Sequence, residues 1–181
     1  MNMRIILPAA AALLFAVDSC GPSGETAGTA DTRESLFTAG HRLYQAQDFD
    51  SAATVLKRSV ALDSSFLTPL TDLASLYFDA GMRTQGDRNP ERLKNFRQSR
   101  LYFAKLEALG MRDADTYDRL CELSVSLGDN KAFLQYARKN ADKFPYDRQY
   151  YNLGVAEFGA GEYNEAIRTL KDAVARFPQS S

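Results

Sequence analysis

The sequence predicts an all-α protein in which helical hairpins repeat along the chain. The stretch 36–64 aligns without gaps with the stretch 150–178, 114 residues further along, and resembles a worn copy of it. In both stretches apolar residues recur at helical spacing on either side of a short break, Gln47-Asp48 in the first and Gly161-Glu162 in the second. Each stretch is therefore expected to form two helices joined by a tight turn. An ordinary helical bundle with accidental self-similarity is the alternative.

The residue types shared by the two stretches support tightly packed helix pairs. Small residues coincide, Gly40 with Gly154 and Ala52 with Ala166, at positions where two helices must approach closely. Large residues coincide between them: Phe49 with Tyr163, Leu56 with Leu170 and Val60 with Val174. Because small and bulky positions recur together, true repeats are favoured over accidental similarity.

This pattern resembles the tetratricopeptide repeat, a helical hairpin of about 34 residues. The last copy carries the family's signature residues: Tyr150, Leu153-Gly154, Phe158, Gly161, Tyr163, Ala166, Leu170, Ala173 and Pro178. The first copy keeps most of the signature but has Ser59 and Ser64 at its last two positions. The resemblance implies a right-handed α-solenoid whose first helices line a concave groove.

Four copies, and so eight helices, account for the chain from residue 33 onward. They are predicted at residues 33–66, 67–111, 112–145 and 146–179, with an insertion at residues 82–94 of the second copy. Asn89-Pro90 is expected to begin the second helix of that copy, because Asn caps helices and Pro suits their first turn. Cys121 falls at the small position of the third copy, where a buried core residue is favoured over a redox thiol.

The N-terminal segment predicts export and a lipid anchor. Arg4 precedes an apolar run at residues 5–17, about 13 residues, which is short for a bilayer span and suits a secretory signal. The run ends in the stretch 17–20, "VDSC", which resembles the bacterial lipobox and implies a signal peptide at residues 1–19 and diacylation of Cys20. Asp18 departs from the usual small or apolar residue, and cleavage after Ala30 or an uncleaved anchor are alternatives.

Composition adds to the expected location. Residues 20–32 are rich in Gly, Ser, Thr and Ala and are predicted to form a flexible tether. Gly21 stands where some lipoproteins carry the Asp that retains them at the inner membrane, so the periplasmic side of the outer membrane is favoured. The 22 basic and 23 acidic residues nearly cancel, so no overall field attracts nucleic acid. With one of the two cysteines assigned to a lipid, no disulfide is predicted.

The resemblance to the tetratricopeptide repeat also implies that aromatic and polar side chains of the first helix of each repeat face the groove. The predicted partner-binding residues are Phe37, His41, Tyr44, Asp72, Ser75, Phe78, Asp118, Arg119, Glu122, Tyr151, Asn152, Val155 and Phe158. Aromatic rings give contact area at low entropic cost, and carboxylates favour a basic ligand. A peptide or helix bearing Lys or Arg beside apolar anchors is the expected partner. The alternative is that these rings pack between repeats and the carboxylates are merely solvated.

A second candidate surface is basic and lies around the insertion. Its residues are Arg83, Arg88, Arg92, Arg97 and Arg100. A solvated helix with a long loop is the favoured interpretation, because the three helical arginines do not share one face. Contact with lipid headgroups, an acidic protein or an anionic glycan is the alternative.

Nothing in the sequence points to catalysis, a cofactor or a metal site. It has no Gly-rich phosphate loop, no G-x-S-x-G elbow and no paired histidines, and His41 is its only histidine. Asp115, Asp118 and Glu122 share a helical face and could share a proton or bind a cation. Stabilisation of a helix N-terminus and a place in the groove are the favoured roles.

These features predict a protein–protein adaptor that serves outer-membrane, pilus or cell-wall assembly. A lipoprotein that captures a peptide or glycan nutrient is the alternative, although the chain lacks Trp for sugar stacking. A domain that only tethers a partner is a third. In the last helix, Ile167, Leu170 and Val174 are expected to lie partly exposed. We expect this edge to form a homodimer, to meet a partner, or to be covered by chain beyond Ser181.

Overall fold

The computed structural model describes residues 31–179, which form eight α-helices and no strand, so the predicted all-α class is confirmed. The helices are α1 (Arg33–Gln45), α2 (Phe49–Leu62), α3 (Leu67–Arg83), α4 (Pro90–Ala108), α5 (Ala114–Ser126), α6 (Asn130–Lys143), α7 (Asp147–Gly159) and α8 (Tyr163–Arg176). The predicted signal peptide, Cys20 and the tether up to residue 30 lie outside the described residues. None of the eight helices is both long enough and apolar enough to cross a bilayer.

The helices stack in chain order. Each helix packs against the next one along the chain, and α1 also packs against α3. Odd-numbered helices are therefore the first helices of four hairpins, and even-numbered helices are the second. Three clusters of buried apolar side chains fill the spaces between neighbouring hairpins.

The same tight turn joins the two helices in three of the hairpins. Its left-handed residue is Gln47 (φ 64°), Gly128 (φ 69°) or Gly161 (φ 83°). In each turn the next amide donates to a carbonyl five residues back, as Asp129 N does to Ser124 O at 2.8 Å. Glycine adopts this left-handed backbone at little cost, whereas Gln47 adopts it at a steric cost because it has a Cβ atom. The breaks read from the sequence are thus the points where the chain reverses.

Close approach of the paired helices depends on the small residues. A Cβ atom at Gly40 would lie 2.7 Å from Cγ of Leu56, and one at Gly154 would lie 2.6 Å from Cγ of Leu170. No larger residue fits at either position without displacing the leucine. Ser59, which departs from the family's alanine, is fully buried and donates its hydroxyl to the carbonyl of Arg33 at 2.6 Å.

The insertion in the second hairpin is about half helical, and its second helix begins at the predicted Asn89-Pro90. Of residues 82–94, only 84–89 lie outside helices. Helix α4 begins at Pro90, and Asn89 caps it by accepting the amide of Glu91 at 2.9 Å. Helices α3 and α4 have 17 and 19 residues, whereas the other six have 13 or 14. The added residues therefore lengthen both helices of this hairpin.

Replacing Gly81 with alanine is expected to destabilise the lengthened hairpin. The new Cβ would lie 2.5 Å from the ring of Phe96, which is only 1% exposed and has no room to move. We expect Gly81→Ala to lower the free energy of unfolding by about 1–3 kcal/mol, measured by urea denaturation. Gly159→Ala is the matched control, because its Cβ would meet nothing closer than 3.8 Å and should not destabilise.

Asp129 should stabilise the fold in a pH-dependent way. Its carboxylate caps α6 by accepting the amide of Ala132 at 3.0 Å, and Arg100 donates to it at 2.8 Å. The hydrogen bond from the Ala132 amide, and to a smaller extent Arg100, lower the pKa of Asp129 in the folded protein. Its contribution to stability is therefore fully present above the pKa of the unfolded chain and is lost as the pH falls through the pKa of the folded protein. At pH 7, Asp129→Ala should cost about 1 kcal/mol.

In acid this difference between wild type and Asp129→Ala should shrink, as followed by urea denaturation across the pH range. The control variant, Asp142→Ala, removes an exposed carboxylate of the same helix and should parallel the wild type throughout. A cost for Asp129→Ala that stays constant into strong acid would contradict this assignment.

Candidate partner-binding groove

Residues of α3, α5 and α7 surround one cavity of about 500 Å³. Of the groove positions read from the sequence, its lining includes Ser75, Asp118, Arg119 and Glu122. A second cavity of about 300 Å³ shares Asp118 and Glu122 and adds Asn152. Together these two cavities form the central part of the groove.

The lining of the larger cavity carries an excess of negative charge. Four carboxylates, those of Asp113, Asp115, Asp118 and Glu122, face two guanidinium groups, those of Arg119 and Arg148. Asp113 caps α5 through the amide of Thr116, at 2.7 Å, and Glu122 pairs with Arg119 at 2.9 Å. Asp115 is exposed. A ligand with positive charge would therefore be favoured here.

Asp118 is held by the protein itself. One of its oxygens accepts the side-chain amide of Asn140 at 2.8 Å, and the other lies 3.4 Å from Arg148. Asn140 belongs to α6 and is only 1% exposed, so it fixes the carboxylate from below. Asp118 therefore serves to shape the groove floor and has little capacity left for a ligand.

Phe78 lies beneath the surface of the groove. Its side chain is buried, and the guanidinium of Arg119 stacks over the ring at 4.3 Å from its centroid. This cation–π contact holds Arg119 across the cavity. At Phe78, where the sequence predicted an aromatic ring facing the groove, the exposed group is instead the guanidinium of Arg119, which rests on that ring.

At the α1 end, the predicted residues join α1 to α3. Nδ1 of His41 lies 2.7 Å from Asp72, and the hydroxyl of Tyr44 donates to Asp79 at 2.6 Å. The side-chain amide nitrogen of Gln45 lies 2.9 Å from Nε2 of His41 and donates a hydrogen bond to it when the ring is neutral. In that form Nδ1 carries the hydrogen and donates a hydrogen bond to Asp72. Burial raises the pKa of Asp72 and, together with Asp79, that of Tyr44.

Phe37 follows the same pattern, because it is half-buried and its ring lies edge-on to Phe66 at 5.8 Å between centroids. The contacts at this end are those of packing between repeats. They match the alternative that the sequence left open for the aromatic positions.

At the α7 end, the predicted apolar residues are exposed, although the ring of Phe158 lies edge-on to Tyr163. Tyr151 is 61% exposed, Phe158 65% and Val155 40%. Tyr151 also lines a separate cavity of about 420 Å³ between α7 and α8. It therefore borders both the groove and the outer side of the last hairpin.

Comparison with known proteins gives the fold a name. Residues 150–180 match the family model of the tetratricopeptide repeat, whereas no curated protein sequence matches the chain. The crystal structure of MamA superposes with a TM-score of 0.60 at 22% identity, over 81% of this chain and 74% of MamA. The chain has the tetratricopeptide-repeat fold.

Two further tetratricopeptide-repeat proteins superpose on the chain. YrrB, described as having an unusual peptide-binding site, does so with a TM-score of 0.60 at 17% identity, over 80% of this chain and 68% of YrrB. TTC0263 of Thermus thermophilus gives a TM-score of 0.52 at 16% identity, over 84% of this chain and 77% of its own. At such identities the likeness concerns the fold alone, and it confirms the predicted solenoid.

The predicted basic surface is largely engaged in contacts within the tetratricopeptide-repeat domain. Arg83 bonds Gln47 and stacks on Phe49, with 4.7 Å between the guanidinium carbon and the ring centroid. Arg92 donates to the carbonyl of Thr84, and Arg100 pairs with Asp129. Arg88 and Arg97 are exposed. Three of the five arginines therefore serve contacts within the domain: Arg83 with the first repeat, Arg92 within the insertion and Arg100 with the third repeat.

Cys121 is buried, and burial raises the pKa of its thiol to about 12. It thus stays protonated at neutral pH and packs in the core of the third and fourth repeats. Within residues 31–179, no group of three or more His, Cys, Asp or Glu side chains could hold a metal ion.

Sequence reasoning missed Met111 and Asp113, which line the larger cavity from the segment before α5. Repeat positions assign only helical residues to the groove, so this segment was left out. The signal for Asp113 was its place three residues before Thr116, a spacing typical of a helix cap.

Two aspartates on the same helix should separate structural from surface roles. Removing Asp118 leaves the buried amide of Asn140 without its acceptor, so Asp118→Ala should lower the free energy of unfolding by about 1–3 kcal/mol. Asp115 is exposed, so Asp115→Ala should leave stability within about 0.5 kcal/mol of wild type. Thermal or urea denaturation of both variants measures this, and equal stabilities would contradict the assignment.

Proposed function

We propose that the chain is a non-enzymatic adaptor of the bacterial cell envelope that binds a peptide or helix of a partner protein in its groove. The observation that carries this proposal is the acidic central cavity, continued at the α7 end by exposed apolar side chains. The tetratricopeptide-repeat fold supports a protein partner in general. The peptide-binding site named for YrrB supports a peptide in particular.

The groove favours a ligand with two kinds of side chain. Asp115 and Glu122 lie exposed at the cavity, where a Lys or Arg of the ligand would be drawn to them. Tyr151 and Phe158 offer large apolar areas at the α7 end, where they would cover an apolar anchor of the ligand. Because the α1 end is used for packing between repeats, the ligand is expected to lie mainly along α5 and α7.

The location is proposed from the sequence. The lipobox-like stretch ending at Cys20 supports a lipid anchor, and residues 20–32 would let the domain reach partners beside the membrane. Assembly of outer-membrane proteins, pili or cell-wall machinery is the class of work that such an anchored adaptor would serve. The outer membrane is favoured over the inner membrane, because Gly21 is not the retaining Asp.

Self-association of two copies through the last repeat belongs to the same proposal as a weaker contact. Ile167 and Val174 are 53% and 73% exposed, and pairing two copies would cover them. Such a contact is expected to depend on concentration.

Photo-crosslinking in living cells tests the groove. We expect a probe at Glu122, which lines both central cavities, to give one discrete protein adduct that mass spectrometry identifies. The control probe at Lys94 lies exposed on α4 in the basic region and should give none. Tyr151 is a poorer site for the probe, because it borders a second cavity outside the groove.

An adduct from Lys94 alone would move the working surface to the basic region and refute the groove proposal. If neither probe captures a protein, capture of a peptide or glycan becomes the better account of the central cavity.

A further inference from the structure

The last hairpin has an uncovered apolar side, here named the terminal face, which consists of Tyr151, Tyr163, Ile167, Leu170 and Val174. Within residues 31–179, α8 packs only against α7. Four of these side chains are therefore exposed, from 53% at Ile167 to 73% at Val174, and only Leu170 is half-buried. The cavity of about 420 Å³ between α7 and α8 opens on this face.

The first repeat shows how the same face looks when it is covered. The residues 114 positions upstream of the terminal face are Phe37, Phe49, Ala53, Leu56 and Val60. All of them are buried or half-buried, with Ala53 at 7% and Leu56 at 0%. Helix α3 covers them, since its Leu73 and Leu76 belong to the same buried cluster. Comparison within one chain thus identifies a helix as the occupant of such a face.

The covering helices share one feature. Each places two apolar residues three positions apart against the preceding hairpin: Leu73 and Leu76 in α3, Leu120 and Leu123 in α5, and Leu153 and Ala156 in α7. At the matching positions, α1 has Ala39 and Arg42, both exposed. Among the described residues, no hairpin precedes α1 for it to cover, and its polar side is exposed. A second copy of the chain therefore offers no apolar first helix to continue the stack.

We infer that the terminal face receives an amphipathic helix of a partner protein, lying as α3 lies on the first hairpin. This helix presents two leucine-sized residues three positions apart to the terminal face and a polar side to solvent. A second copy paired face to face would cover the same residues. It would not, however, provide a helix with two leucine-sized residues three positions apart. The helix should therefore displace any such dimer. None of the five residues of the terminal face lines the two central cavities, although Arg148 borders all three cavities and Tyr151 also belongs to the α7 end of the groove. The inference therefore goes beyond the groove proposal.

The chain itself provides the probe. A fluorescent peptide of residues 65–84 carries α3 with Leu73 and Leu76, and its anisotropy is titrated with the full chain in lipid nanodiscs. We expect saturable binding that is about tenfold weaker or worse for the double variant Ile167→Gln, Val174→Gln, because two apolar contacts are lost. Leu101→Gln is the matched control, since Leu101 is 61% exposed on α4 and should bind as wild type does.

A peptide with Leu73→Gln and Leu76→Gln should fail to bind, and empty nanodiscs should bind neither peptide. Equal affinity for the wild type and the double variant, or no saturable binding at all, would overturn the inference. So would copies that crosslink to one another through the terminal face and are not separated by the peptide. The Glu122 crosslink in the groove should persist in the double variant, so that failure of one proposal leaves the other standing.

Discussion

The architecture depends on how closely the two helices of each hairpin can approach. At Gly40 and Gly154 the first helix has no side chain, and a leucine of the second helix fills the space that a Cβ atom would need. This contact sets the spacing within a hairpin, and the tight turn with one left-handed residue sets the point of reversal. Once a hairpin is closed, its apolar outer side remains open and must be covered. The first helix of the next repeat covers this apolar side, so each hairpin is stabilised by stacking against the next.

The same need explains the uneven groove. Near α1, polar and aromatic side chains such as His41 and Tyr44 form hydrogen bonds to α3, so the groove wall there is part of the interface between the first two repeats. In the centre, Asn140 and Arg148 hold Asp118, while Asp115 remains exposed to solvent. Near α7, no later helix of the described range draws Tyr151 and Phe158 into such an interface, so they stay exposed. One repeated surface thus changes from packing between repeats to solvent exposure along the stack.

Sequence periodicity predicted the class, the number of helices and the points of reversal, because these depend on local spacing of small and large residues. It did not predict the lengthened helices of the second hairpin. The segment 82–94 holds Gly, Pro and Asn, which favour loops, but only residues 84–89 form a loop, whereas the rest belongs to α3 and α4. Of the groove residues predicted from repeat positions, the two central cavities bring together Ser75, Asp118, Arg119, Glu122 and Asn152. Repeat positions did not reveal that Phe78 lies under Arg119 or that Asp118 is bonded from α6, because such contacts join positions far apart in sequence.

The lengthened second hairpin makes one rim of the stack uneven. Helix α3 has four more residues than α1, α5 or α7, which corresponds to about 6 Å of added length at 1.5 Å per residue. A flat surface brought against the rim of the hairpin turns would touch the 84–89 loop first. A gap about two water molecules deep would remain beside the neighbouring turns. A broad, flat partner on that side would therefore contact the domain first at the protruding 84–89 loop alone.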